Sequence, residues 1–445
     1  MSLGRLSYIP VSQQLAEHAI PLFALSVPLV CSIPHSLGWT GDLQVFATTA
    51  SYLFDCSSML NGWMQDFQAE HLTNKRGEPP IVVPDILQYL PAPTPFAVWS
   101  DAAVLTPYDL YCCFGDTASL SNQWESMTRW VDVGVKRGED GLWDEAIPQL
   151  GDWLDPAAPP ESPIMATTDN HYVANAYLLR VTRTMAKIAI ILGKAAAADK
   201  YAADFQRLQG VFLDKYVAPS GRIASDSQCG LALALHFDLI ESDRQKRGAA
   251  ERLDYLVRRK AFQVATGFAG TPIILDTLAE QGKLSLAYRM LQEKGCPSWL
   301  YPISMGATTI WERWNSVLPD GTINPGEMTS MNHFALGSVA RFLHGRVGGI
   351  SPLTPGWKKI LIRPQPGGDV TSARVTHISP YGQVACSWSI QGGELQVDVT
   401  VPPNSSAQVE LPGLQRQVGS GSHRFSVPYE ADSAWPPQAL AKSVI

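Results

Sequence analysis

Apolar residues recur at helical spacing over most of the first 345 positions. Leu43, Phe46, Ala47, Ala50 and Leu53 fall on one face behind Gly41-Asp42, a predicted N-cap. Leu178, Val181, Met185, Ile188 and Leu192 predict a helix stopped by Gly193, and Tyr201, Phe205, Leu208 and Phe212 predict a second that starts almost at once. So short a connector makes the two antiparallel neighbours. Further helices are predicted over 102–114, 120–135, 229–240, 252–262, 273–281, 284–292 and 331–343, with almost no strand signal between them. Many helices paired by short turns, without a repeat of fixed period, predict a toroid of helical hairpins rather than a regular solenoid.

The period changes after Gly349. Val384, Cys386, Trp388 and Ile390 alternate with other residues, Gly392-Gly393 turns the chain, and Leu395, Val397, Val399 and Val401 alternate again. This is a hairpin, and Ala407, Val409 and Leu411 continue the period of two. The fold class expected is therefore mainly α: a toroid over residues 1–348, a small antiparallel β-sandwich over 349–430, and a loosely ordered tail over 431–445. The irregular stretches 91–96, 137–166, 294–306 and 318–329, rich together in Pro, Gly, Asp and Trp, gather at one end of such a toroid and build its cleft.

Composition narrows the classes of function. With 34 Lys+Arg against 41 Asp+Glu, a net charge of −7 leaves no basic stripe to neutralise phosphates, and nucleic acid is not expected as a partner. The 7 cysteines are scattered without a CxxC pair, so neither a zinc site nor a disulfide framework is indicated, and no metal or organic cofactor is expected. No apolar run reaches the ~20 residues that span a bilayer. The nearest candidate, 19–34, is interrupted by Pro21 and Pro28 and lacks a basic flank and a small-x-small cleavage site, so a cytoplasmic protein is expected. Nothing in the sequence fixes an oligomeric state.

The 13 tryptophans matter where they stand beside acids. Trp39-Thr-Gly-Asp42, Gly151-Asp-Trp-Leu-Asp-Pro156 and Trp311-Glu-Arg-Trp314, the last followed by Glu327 and Asn332-His333, place a flat apolar face next to a carboxylate. That pairing suits a sugar ring, and a Trp that desolvates a carboxylate raises its pKa toward acid–base work. The alternative readings are structural. Asp42 caps its helix, Glu312 pairs with Arg313 on the surface, and Asp152 and Asp155 form turns. Glu327 is a first-turn acid and His333 a buried histidine.

The run Met305-Gly-Ala-Thr-Thr-Ile-Trp-Glu-Arg-Trp-Asn315, continued by Pro319 to His333, resembles the α-L-rhamnosidases of glycoside hydrolase family 78. Leu37-Gly-Trp-Thr-Gly-Asp-Leu-Gln-Val-Phe46, Trp99-Ser-Asp-Ala-Ala-Val104, Gly151 to Pro156 and Pro297-Ser-Trp-Leu-Tyr-Pro302 are similar to that family in the same order. The resemblance, over about 25–430, implies an (α/α)6 barrel followed by a β-sandwich, and inverting hydrolysis of terminal α-L-rhamnosyl bonds in rhamnose-containing glycosides. It also implies Glu312 as general base, Asp42 as the acid that binds sugar and supports catalysis, and Trp39, Trp99, Trp153 and His333 as rhamnose contacts. Family members carry further β-sandwich modules before the point where this chain begins, and part of the first barrel helix is expected to be missing.

The resemblance breaks between Val30 and Ser36. Val30, Pro34 and His35 stand where the family has its sugar-binding aspartate, an arginine and the proton-donating glutamate. Three explanations stay open: an error in the gene structure, His35 as the acid (an imidazole titrates in the right range), or a protein that binds rhamnose without hydrolysing it. A lyase acting on rhamnosyl-glucuronate with help from His35 is a further alternative.

Overall fold

The computed structural model describes residues 37–87, 95–326 and 328–440. The predicted period of 3.6 is realised as helices α1 (Thr40–Leu53), α2 (Ser57–Thr73), α3 (Ala102–Phe114), α4 (Ala118–Arg129, extended by a π turn Trp130–Gly134), α5 (Asn170–Ile191), α6 (Ala195–Tyr216), α7 (Gln228–His236), α8 (Asp243–Arg259), α9 (Ile274–Glu280) and α10 (Leu284–Leu291). Short helices follow: α11 (Leu300–Ser304), α12 (Phe334–Gly337) and α13 (Val339–Phe342).

Contacts between these elements close a ring. α1 packs on α3, α3 on α5, α5 on α7, α7 on α9, α9 on α13, and α13 back on α1. The outer helices α2, α4, α6, α8 and α10 each lie against this ring. The difference in burial follows from sequence. Inner α7 (Gln-Cys-Gly-Leu-Ala-Leu-Ala-Leu-His) is buried from Gln228 through Leu235, whereas outer α8 buries only Ala249, Ala250, Leu253 and Val257. A helix apolar all round belongs inside, and one with a single stripe belongs on the rim. Side-chain caps fix two inner helices, with Asp169 accepting from the Tyr172 N–H at 2.7 Å and Ser227 from the Gly230 N–H at 2.9 Å.

Three connections repeat one small hairpin. The bridges Arg137–Trp143, Val217–Ile223 and Val317–Ile323 each enclose a glycine with positive φ, namely Gly141, Gly221 and Gly321. The same two backbone hydrogen bonds close each turn, such as Leu318 N–H to the Thr322 carbonyl and Gly321 N–H to the Leu318 carbonyl.

Two four-stranded sheets follow, in the orders β1-β2-β6-β7 and β3-β4-β5-β8, with β1 Ile350–Pro352, β2 Lys359–Ile362, β3 Ser372–Ser379, β4 Gly382–Gln391, β5 Glu394–Val401, β6 Ser406–Leu411, β7 Leu414–Val418 and β8 Gly421–Pro428. The predicted hairpin is β4–β5, with Trp388 opposite Val397. One feature corrects the antiparallel expectation: β2 and β6 run parallel, because the chain crosses to the other sheet for β3, β4 and β5 before returning. Residues 429–440 form no helix or strand, but Trp435 Nε1 donates to Asp369 at 2.9 Å and Arg258 Nη1 to the Gln438 carbonyl at 3.0 Å, which ties the segment to the sandwich and to α8.

Barrel and sandwich share one apolar core. Trp388 Nε1 donates to the Val347 carbonyl at 2.7 Å, and the Tyr52 hydroxyl to the Ile350 carbonyl at 3.2 Å. His344 and His377 flank Tyr52 at this junction, with ring centroids 5.1 and 5.7 Å away, and burial pushes both imidazoles down to about 4.

Candidate active site

The segments that precede inner helices α1, α3 and α9 and the short helix α12 converge at one end of the ring. Residues 38–40 run extended beside 81–83: Val83 N–H donates to the Gly38 carbonyl at 2.9 Å and Thr40 N–H to the Ile81 carbonyl at 3.0 Å. Helix α1 starts at Thr40, with Trp39 in the cap position. Asp42 is therefore in the first turn, where the positive end of the helix favours an acid, and it is not the cap the sequence suggested. On the far side of the chain, 310–312 pairs with 330–333. Glu312 N–H donates to the Ser330 carbonyl at 2.9 Å and His333 N–H to the Ile310 carbonyl at 2.9 Å. This pairing holds Met331 to His333 out of the predicted helix, which begins only at Phe334.

These two strips bring the predicted acids together around one imidazole. His333 Nε2 lies 3.4 Å from Asp42 Oδ1 and 3.9 Å from Glu312 Oε1. The two legs keep Asp42 Oδ1 and Glu312 Oε1 no more than about 7.3 Å apart. Glu312 is buried, with 5 % of its side chain open, so it is no surface partner of Arg313, and its Oε2 accepts the Ser330 N–H at 3.3 Å. Burial pushes its carboxyl up to about 7, against the pull of that N–H and of the Arg313 charge. Asp42, 18 % open, is pushed up to about 8 by burial first and by the neighbouring Glu312 second. Burial thus moves both carboxyls out of the ordinary acidic range toward neutrality, where a carboxyl suits proton transfer.

The aromatic wall is built from residues far apart in sequence. Trp99 stacks on Phe268 with centroids 4.5 Å apart, and Phe268 meets the His333 ring edge-on at 5.7 Å. Trp99 is only 4 % exposed and is pressed on Gly41, where a Cβ would come within 2.7 Å of the indole. Trp39 and Trp153 are partly open. Trp39 Nε1 has no hydrogen-bond partner among the described residues. Asp155 is a turn acid, as its sequence context suggests, whereas the Asp152 carboxylate departs from that expectation and bonds a distant loop. Asp155 accepts the N–H groups of Ala157 and Thr167 at 2.8 and 2.9 Å, and Asp152 takes three from Gly267, Ala269 and Gly270. Burial and the charge of Asp155 push Asp152 up to about 6.

Of the residues singled out in the sequence, Asp42, Glu312 and His333 are in one cluster, with Trp99 one ring away through Phe268. His35, the rest of 30–36 and Glu327 lie outside the described residues. Phe268 was not among the sequence candidates; its signal is an aromatic between two glycines, Gly267-Phe-Ala-Gly270. Among the described residues, no group of three or more His, Cys, Asp and Glu is arranged to hold a metal ion.

A closed ring of inner helices with an outer helical layer, carrying a carboxylate–imidazole–carboxylate set at one end, has the architecture of a six-hairpin glycosidase domain. Residues 23–347 match the bacterial alpha-L-rhamnosidase six-hairpin glycosidase domain, and 349–426 the bacterial alpha-L-rhamnosidase C-terminal domain. The chain belongs to the α-L-rhamnosidases of glycoside hydrolase family 78. It is 36% identical over 411 residues to an alpha-L-rhamnosidase of Streptomyces avermitilis, covering 88% of this chain and 38% of that protein. To one of Formosa agariphila it is 34% identical, covering 84% and 40%. Among solved structures, native α-L-rhamnosidase from Aspergillus terreus superposes with a TM-score of 0.92 at 39% identity, over 96% of this chain and 50% of that one. The S. avermitilis enzyme complexed with L-rhamnose gives 0.86 at 33%, over 96% and 42%. The chain thus spans about two fifths of the length of the curated relatives it matches.

Proposed function

We propose that the protein hydrolyses terminal α-L-rhamnosides in rhamnose-containing glycosides, with inversion at the anomeric carbon. The observation that carries this reading is the meeting of buried Glu312 and Asp42 at His333 Nε2, beside an aromatic wall. Family membership and a relative solved with L-rhamnose support it.

In this mechanism ionised Glu312 takes a proton from water as the oxygen attacks the anomeric carbon. The glycosidic C–O bond breaks, and the leaving oxygen takes a proton from the Val30–Ser36 segment, where His35 is the candidate acid. Asp42 and the His333 ring hold the sugar hydroxyls, and the partly exposed indoles of Trp39 and Trp153 supply its apolar faces. A second reading, a rhamnose-binding protein without turnover, is favoured by the absence of a carboxylate between Val30 and Ser36.

An activated aryl α-L-rhamnoside, followed by NMR of the first-formed sugar anomer, separates the two. Release of β-L-rhamnose supports inverting hydrolysis. Thermal stabilisation by L-rhamnose with no aryl alcohol released supports the binder. Glu312→Gln is expected to lose at least about a thousandfold in kcat, in line with removal of a general base, while rhamnose binding survives. Unchanged turnover would refute the assignment of Glu312.

A further inference from the structure

Four consecutive backbone N–H groups on the loop before α9 donate to a two-residue stretch of the loop before α5. Gly267 donates to Asp152 Oδ2 at 2.8 Å, Phe268 to the Trp153 carbonyl at 2.8 Å, and Ala269 and Gly270 to Asp152 Oδ1 at 2.9 Å each. The two backbones touch: a Cβ on Gly267 would come within 2.3 Å of the carbonyl oxygens of both Asp152 and Trp153. A fully buried carboxylate that collects three N–H donors in so tight an approach fixes the loop rather than merely lining it.

What the loop carries is Phe268. Its ring is held between the stacked Trp99 indole and the edge of His333, the imidazole that reaches both Asp42 and Glu312. On the other side of the lock, the next residue after Asp152 is Trp153. One carboxylate therefore fixes two aromatic groups on opposite loops. An ordinary turn acid such as Asp155 serves only its own loop, through Ala157 and Thr167.

We propose that Asp152 is a positioning residue for the sugar-hydrolysing site: by clamping Gly267–Gly270 it sets the Phe268 ring, and through it the orientation of His333 between the two acids. This rests on the hydrolase reading above. Asp152 touches neither Asp42, Glu312 nor His333 in any hydrogen bond or ion pair described, so its effect travels through Phe268. Asparagine in its place puts an amide NH2 against N–H donors on one side and releases part of the clamp. Phe268→Leu leaves the clamp intact and removes the ring against which His333 packs.

The test is a double-mutant cycle on kcat/KM with an aryl α-L-rhamnoside, using Asp152→Asn, Phe268→Leu and the pair. Val397→Ala, a cavity in the sandwich core, serves as a control for lost stability. Each single variant is expected to lose at least tenfold in kcat/KM. The double is expected to be no worse than the more damaged single, because both act through one ring. Val397→Ala, although less stable, keeps wild-type kinetics. Folded Asp152→Asn within twofold of wild type overturns the proposal, as do fully multiplicative losses in the double variant. If Asp152→Asn does not fold, tenfold loss in Phe268→Leu supports the ring's role and wild-type kinetics there overturn it. If wild type binds L-rhamnose without turnover, the same cycle is read on rhamnose affinity, so the hydrolase reading falls while the positioning role is still decided. A wild type that neither binds nor cleaves overturns both.

Discussion

Glu312→Gln is expected to make the protein more stable as it makes it inactive, and by an amount that depends on pH. The side chain is 5 % open and its carboxyl is pushed from an ordinary 4.5 to about 7 by burial. In the unfolded chain the same group loses its proton near 4.5. Between these two values the folded state binds the extra proton, so stability falls as pH rises, at most by about 1.4 kcal/mol per unit. Over the whole interval that is about 3 kcal/mol held against folding at pH 8, and little at pH 5. Glutamine has the same shape, stays neutral, and keeps an oxygen to accept the Ser330 N–H. Removing the Glu312 charge also relieves Asp42, for which that charge is the second cause of its rise, and this adds to the gain. The assay is chemical denaturation of wild type and variant at pH 5 and pH 8, with the variant's advantage opening toward pH 8. An advantage of equal size at both values, or a variant less stable at pH 8, would refute the burial of a titrating carboxyl at this position.

The barrel–sandwich junction should respond in the opposite sense. His344 and His377, held near 4 by burial against an ordinary 6.5, are neutral in the folded state, so stability is lost as pH falls from about 6.5 toward 4, by roughly 3 kcal/mol for each ring at most. His344→Phe is therefore expected to make the acid limb of a stability–pH curve shallower; an unchanged limb would contradict this. Gly41→Ala drives a methyl into the Trp99 indole, and is expected to cost about 1–3 kcal/mol and at least tenfold in kcat/KM. Gly62→Ala, in the middle of α2 with nothing within 4 Å of the new methyl, is expected to raise stability by about 0.5–1 kcal/mol in the same denaturation assay.

Much of the helical frame was legible because burial on an inner helix leaves an unbroken apolar signature. The prediction over 102–114 coincides with α3. Helix α2 was not predicted, although Leu60, Met64, Phe67 and His71, its buried residues, stand at helical spacing. A polar surface on three sides diluted that signal. The predicted helix over 252–262 began too late for the same reason, since Asp243 to Arg247 offer no apolar residue to mark the first turns of α8. The three hairpins at Gly141, Gly221 and Gly321 are an internal repeat with glycine at the fifth and Trp or Ile at the seventh place. Unequal spacing between copies hid them from a search for a fixed period.

Which residues stand ready for chemistry is written locally along the chain. Trp–acid neighbours are local, and a few residues of the chain suffice to write Trp39-Thr-Gly-Asp42 or Trp311-Glu312. How they work together depends on the folded arrangement. Asp42 and Glu312 are 270 positions apart in the chain, and their raised affinities for protons come from a shared desolvated pocket that exists only once α1 and the 310–333 strip meet at His333. Phe268 gains its meaning the same way, from a clamp formed with Asp152 across 115 to 118 positions. Propensity and spacing act over a turn or two of chain, whereas burial and the coupling of charges are properties of the folded interior, where distance in space replaces distance in sequence.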